Sequence, residues 1–141
     1  MNFQIAKNQE DLKNCYQVIK ELRPHLTFED FIYIYTQSQV KDDYELVFIT
    51  NDKNIVLAVM GYRILFDFVR GKHIYIDDLV ITEMHRSLGL GAKLLKYAEQ
   101  LAAEHQCKTL RLCTGVENNR AIKFYEKNGW VQRALAYTKK V

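Results

Sequence analysis

The chain has 141 residues, 48% of them apolar and 26% charged, with a formal net charge of +3. That length fits one domain with its own core, residues 1–141. The mild charge suits a small anionic ligand and excludes the dense Lys/Arg stripe of a nucleic-acid binder.

Residues 3–6 (FQIA) read as a short first strand. Their neighbourhood, "MNFQIAKNQEDL", lacks the apolar run of a signal peptide, and no segment approaches the ~20 apolar residues of a membrane span. A cytoplasmic protein without membrane contact is therefore expected. Asn8 or Asp11 starts a helix on which Leu12, Cys15, Tyr16, Ile19 and Leu22 recur at helical spacing, and Pro24 closes it. Thr27 is placed to cap a second helix, with Glu29 and Asp30 in its first turn and Phe28, Phe31, Ile32 and Tyr35 on one face.

"YELVFIT" and "NIVLAVMGYRIL" flank the polar turn "NDKN" and read as a hairpin. Arg70-Gly71-Lys72 turns the chain into "HIYIDDLVI", an apolar strand interrupted only by Asp77 and Asp78. A glycine stretch follows, then a helix to about Glu104 whose apolar face uses Leu90, Leu94, Leu95, Ala98, Leu101 and Ala102. "TLRLCTG" is a strand, and "NNRAIKFYEKNG" is a helix with Asn at its start and Gly129 at its end. "WVQRALAYTKKV" reads as one further strand. The order is that of a single mixed α/β domain. Cys15, Cys107 and Cys113 show no metal-ligand spacing and read as reduced, buried thiols; His25 and His73 lack the company a metal site needs, so no metal is expected.

The stretch "HRSLGLGAKLLKYAEQ" places a glycine loop between a strand and a helix. Helix N-termini carry unpaired N–H groups and the positive end of the dipole, so such a loop suits a phosphate. A dinucleotide fingerprint needs a third small residue where Leu94 stands, and a P-loop needs Lys after its second glycine, where Ala92 stands. A plain glycine-softened helix start remains the structural alternative.

The run Arg86-Ser87-Leu88-Gly89-Leu90-Gly91 resembles the pyrophosphate loop of the GCN5-related N-acetyltransferase (GNAT) family. A second run resembles that family's other signature: Asn118, Ala121 and Tyr125 at offsets of three and seven, followed by Gly129 and Trp130. The element order matches as well. The resemblance implies the GNAT acyl-CoA N-acyltransferase fold, a central mixed sheet with helices on both faces. It also implies acetyl-CoA as cosubstrate, held by the loop Arg86, Ser87, Leu88, Gly89, Leu90, Gly91 and Ala92, by Asn118, and by backbone groups of Leu79, Val80 and Ile81 along the pantetheine arm.

The implied reaction is acetyl transfer to a primary amine of a small molecule or peptide. It needs a base for the amine, stabilisation of the oxyanion and a proton for the departing thiolate. Adjacent strand residues point to opposite faces, so one of Asp77 and Asp78 is expected to reach the amine. Position relative to Leu79 in related enzymes selects Asp77, with Tyr75 on its face. The alternatives for either carboxylate are pairing with a basic residue, or orienting the amine while water carries the proton. Tyr125 matches the family's tyrosine acid; a phenol of pKa about 10 protonates a thiolate near ~8.5 slightly uphill, so position matters most. Its structural alternative is packing against Phe124 or Ala121.

His25, Phe28, Glu29 and Tyr35, with Asp67 and Phe68 from "FDFVRGK", are candidate acceptor-lining residues. Direct transfer is expected because no Cys or Ser sits in a covalent-intermediate motif, and Cys113 is expected to be buried and structural. Two other readings stay open: a non-catalytic CoA-binding sensor or subunit, and an acyltransferase using a longer acyl-CoA. Dimerisation is common in the family, which adds a homodimer to the expected partners.

Overall fold

The computed structural model describes residues 2–141. Its elements are β1 (Asn2–Ile5), α1 (Gln9–Leu22), α2 (Phe28–Asp42), β2 (Glu45–Thr50), β3 (Val56–Asp67), β4 (Gly71–Ile81), α3 (Leu90–Glu104), β5 (Thr109–Leu112) and α4 (Asn119–Lys127). A single 3-10 turn, Glu83–His85, precedes the glycine loop. The five strands form one sheet in the order β1-β2-β3-β4-β5. The first four pair antiparallel, β2–β3 and β3–β4 as hairpins and β1–β2 across the intervening α1 and α2. β5 follows the α3 crossover and makes the sheet mixed. The chain divides into two compact units, Met1–Arg111 and Leu112–Val141.

In the first unit the caps expected from sequence are in place. Asn8 accepts from the Asp11 N–H at 2.8 Å, and Thr27 from the Asp30 N–H at 3.1 Å. Each satisfies a helix donor that has no intrahelical partner. Leu12, Cys15, Val18 and Ile19 are the buried residues of α1, whereas Leu22 is exposed. Phe31 and Tyr35 of α2 join them in one cluster with Leu46, Phe48, Val59 and Val80 of the sheet. Residues of opposite parity, including Val47, Ile49, Met60 and Ile76, are buried on the other face. There α3 lies against β3 and β4 with Leu90, Leu94, Leu95, Ala98 and Leu101 buried. Helices thus cover both faces of the sheet.

The β3–β4 ladder contains one irregularity. Gly61 pairs with Asp78 and Tyr62 with Ile76, which leaves Asp77 as the extra residue of a bulge. The bulge changes the strand's parity. Asp77 and Asp78 therefore face the same side, the side of α1 and α2, and both line one cavity there. The expectation that these carboxylates point to opposite faces is corrected by this insertion.

In the second unit, Asn118 caps α4 by accepting from the Ala121 N–H at 3.1 Å. Gly129 closes the helix in the left-handed region, at φ +87°. Residues 131–141 carry no regular structure and are exposed, which corrects the expected final strand. A strand needs a neighbour for its backbone groups, and the described residues of this unit supply none. Cys113 is exposed rather than buried, while Cys15 and Cys107 are buried as expected. Burial pushes the Cys15 thiol up to about 12. Among the described residues no helix is long and apolar enough to cross a membrane.

Candidate active site

Strand β4 carries the two candidate stretches in succession: the carboxylates Asp77 and Asp78, then Leu79–Ile81 leading to the glycine loop. Leu79, Val80 and Ile81 pair with Met60, Val59 and Ala58 of β3. Beyond them Arg86, Ser87, Leu88 and Gly89 are exposed. Ser87 and Gly89 both adopt left-handed backbone, at φ +72° and +77°. The conformation costs a serine energy and a glycine almost none.

The first intrahelical bond of α3 runs from the Lys93 N–H to the Gly89 carbonyl at 3.1 Å. The N–H groups of Leu90, Gly91 and Ala92 precede it and have no intrahelical acceptor. No acidic side chain occupies this first turn. A Cβ at Gly89 would meet nothing within 4 Å, so the approach to the helix end is open. Donors, dipole and clearance together fit the pyrophosphate of coenzyme A.

The carboxylate side is built differently. A cavity of about 350 Å³ is lined by Arg23 and His25 at the end of α1, by α2 residues including Phe31 and Tyr35, and by Tyr44, Arg63, Asp77 and Asp78. Arg63 grips Asp77 with both ends of its fork, Nε to Oδ2 at 2.9 Å and Nη2 to Oδ1 at 2.8 Å. Its remaining nitrogen donates to Asp42 at 3.1 Å. The guanidinium also lies 5.5 Å from the Tyr75 ring centre, and Arg111 lies 4.9 Å from the same ring. Burial raises the Asp77 carboxyl above its ordinary value, against the lowering effect of the Arg63 hydrogen bonds.

Asp78 is hydrogen-bonded on one oxygen and ion-paired on the other. The buried Tyr44 hydroxyl donates to its Oδ2 at 2.8 Å. Burial, then the charge of Asp78, hold that phenol well above its usual range, so it remains a donor. The Tyr44 ring reaches Asp78 by crossing Gly61, where a Cβ would stand 1.7 Å from the tyrosine oxygen. Asp78 Oδ1 has Arg23 at 3.7 Å, beyond hydrogen-bond reach.

His25 and Tyr35 line this cavity as expected from sequence. Phe28 instead packs against Tyr16 and Phe31 in the core cluster, and Glu29 is exposed outside the cavity. Asp67 and Phe68 sit at the far tip of the β3–β4 hairpin. There Asp67 accepts from the Val69 and Arg70 N–H groups, and Phe68 is fully exposed. Arg23, Tyr44, Gly61 and Arg63 were not singled out from sequence. The glycine inside "VLAVMGYRIL" was the available signal, because such a residue marks a bulge or a close approach.

Tyr125 belongs to α4 in the second unit and is half-buried. Its ring centre is 5.3 Å from that of Phe124 and 5.8 Å from that of Trp130. The Trp130 N–H donates to its carbonyl at 3.0 Å. Burial raises its phenol above the ordinary value. Among the described residues no group of three or more His, Cys, Asp or Glu side chains is placed to hold a metal ion.

Comparison with known proteins agrees with this architecture. The model of the acetyltransferase (GNAT) family matches residues 6–130, spanning both units, and the chain belongs to that family. It is 27% identical over 135 residues to an uncharacterised N-acetyltransferase of Bacillus subtilis (strain 168), YhdJ, covering 95% of this chain and 94% of the relative. It is 30% identical over 75 residues to the thialysine N-epsilon-acetyltransferase of Bos taurus, covering 51% of this chain and 44% of that one. Among solved structures, AAC(6')-Iy in complex with the bisubstrate analog CoA-S-monomethyl-acetylneamine superposes with a TM-score of 0.82 at 16% identity, over 100% of both chains.

Proposed function

We propose that the protein is an acetyl-CoA-dependent N-acetyltransferase that transfers directly to a primary amine of a small molecule or peptide. One observation carries the reading: β4 runs from a carboxylate-lined cavity into a loop suited to a pyrophosphate. Acetyl-CoA supplies an acetyl group activated as a thioester. Arg86, Ser87, Leu88, Gly89, Leu90, Gly91 and Ala92 bind its pyrophosphate, and the backbone of Leu79, Val80 and Ile81 pairs with its pantetheine arm.

Of the two carboxylates, Asp78 takes the amine's ammonium on Oδ1 and accepts its proton, directly or through water. Asp77, favoured from sequence, has both oxygens engaged by Arg63 and serves to fix the local charge. Tyr125 donates a proton to the departing thiolate. Asn118 caps the helix that carries Tyr125 and contacts the pantetheine arm. The N-acetyltransferase relatives support an amine acceptor.

The chain works as one cytoplasmic domain without nucleic acid. Its partner is a second copy, supported by Val131, Leu135, Tyr137 and Val141, apolar side chains exposed along residues 131–141. Acetyl-CoA mixed with the protein and a broad amine panel tests the assignment through release of free thiol. Thiol release with an N-acetylated product of matching mass supports it. Calorimetric CoA binding without turnover on any amine supports a sensor instead, and faster turnover with longer acyl-CoAs supports a different acyl donor.

A further inference from the structure

The charges facing the acceptor cavity do not all have the same freedom. Arg63 and Asp77 satisfy one another, and the last guanidinium nitrogen of Arg63 is taken by Asp42. The looser pair is Asp78 Oδ1 and the Arg23 guanidinium, an ion pair at 3.7 Å that is too long for a hydrogen bond. The Arg23 side chain is 47% exposed, so a ligand can exchange with that long contact. The cavity lining thus presents an anion and a cation side by side. The same lining includes apolar Ile19, Leu26, Phe31 and Ile34 and the ring of Tyr35, together with polar His25 and Ser38.

We infer that the acceptor is an α-amino acid with an apolar side chain, acetylated on its α-amine. The inference rests on the N-acetyltransferase reading above. In an α-amino acid the ammonium nitrogen and carboxylate oxygens lie about 3 Å apart by standard bond lengths, which complements the spacing of Asp78 and Arg23. The ammonium goes to Asp78 Oδ1, which Tyr44 and the notch at Gly61 hold in place. The carboxylate goes to Arg23, as a charge-assisted pair. The side chain lies against the apolar part of the lining. The volume, about 350 Å³, is at the small end of the ~300–1,000 Å³ range of ligand pockets. A polyamine is disfavoured, because its second ammonium would meet Arg23 and Arg63 instead of an unpaired carboxylate.

The test compares L-phenylalanine with phenethylamine, which lacks only the carboxylate, and with spermidine. Thiol release and product mass are followed with acetyl-CoA, and calorimetry measures binding of each amine to the CoA-loaded protein. Wild-type protein is expected to favour phenylalanine over phenethylamine by about tenfold or more, the scale of one hydrogen bond to a charged group. Arg23→Gln should bring that ratio close to one by lowering kcat/KM for phenylalanine, and Arg23→Lys should restore part of it. Equal or better use of phenethylamine or spermidine, or a ratio unchanged in Arg23→Gln, would overturn the inference and leave the acetyltransferase reading standing. If acetyl-CoA binds and no amine is acetylated, that reading fails. The calorimetric preference between phenylalanine and phenethylamine then decides the inference alone.

Discussion

The two halves of β4 solve different problems with different materials. The half ending at Ile81 leads into backbone groups: three helical N–H groups without intrahelical acceptors and a glycine in left-handed conformation. The half around Asp77 and Asp78 offers side chains, each held by a partner from elsewhere in the chain: Arg63 on β3, Tyr44 ahead of β2, Arg23 at the end of α1. Backbone recognition suits a cosubstrate common to a whole family. Recognition by side chains from separate elements can change without disturbing that loop.

If the halves are separable, each variant should affect one and spare the other. Asp78→Asn should have the largest effect, a fall in kcat/KM of about 10²–10⁴, the range for loss of a general base, with CoA affinity unchanged in calorimetry. Tyr125→Phe should lower kcat by roughly tenfold to a hundredfold, below or at the foot of that range because proton transfer from a phenol to a thiolate is uphill, with CoA still bound. Gly61→Ala should cost about 1–3 kcal/mol in chemical denaturation, because its Cβ collides with the Tyr44 hydroxyl. It should also raise the acceptor KM, and a normal KM would break the link from Gly61 through Tyr44 to Asp78. Gly89→Ala should weaken CoA binding by about tenfold, from ~1–2 kcal/mol of left-handed strain in the loop, with the acceptor KM unchanged.

The smallest effect is in pH. Burial raises the Tyr125 phenol, so its folded value lies above the ordinary value of about 10. The neutral phenol is thus favoured by folding. Its contribution to stability is complete below pH ~10 and is lost as pH rises through the folded value. A kcat profile should show no descending limb from Tyr125 below about pH 10. A limb near pH 8 that disappears in Tyr125→Phe would contradict the assignment.

The glycine-loop half was legible in the sequence because glycines, caps and helical offsets are local signals. Gly89 opens α3, Asn118 caps α4 and Gly129 ends it, as their positions suggested. The carboxylate half was not. Strand alternation separated Asp77 from Asp78, and only the bulge opposite Gly61 brings them to one face. The partners of those carboxylates come from positions 14 and 34 residues away, in pairings no local pattern encodes. The final strand failed for the same reason: an alternating run becomes a strand only beside a neighbour.

The central claim is that Asp78 serves the amine while the glycine loop serves the cosubstrate. Wild-type protein, Asp78→Asn and Gly89→Ala, each measured for CoA affinity by calorimetry and for thiol release with its best amine, test it most directly. The account predicts that Asp78→Asn binds CoA as wild type does and loses turnover, and that Gly89→Ala binds CoA more weakly and keeps its acceptor KM. Full turnover in Asp78→Asn, or an undiminished CoA affinity in Gly89→Ala, would contradict it.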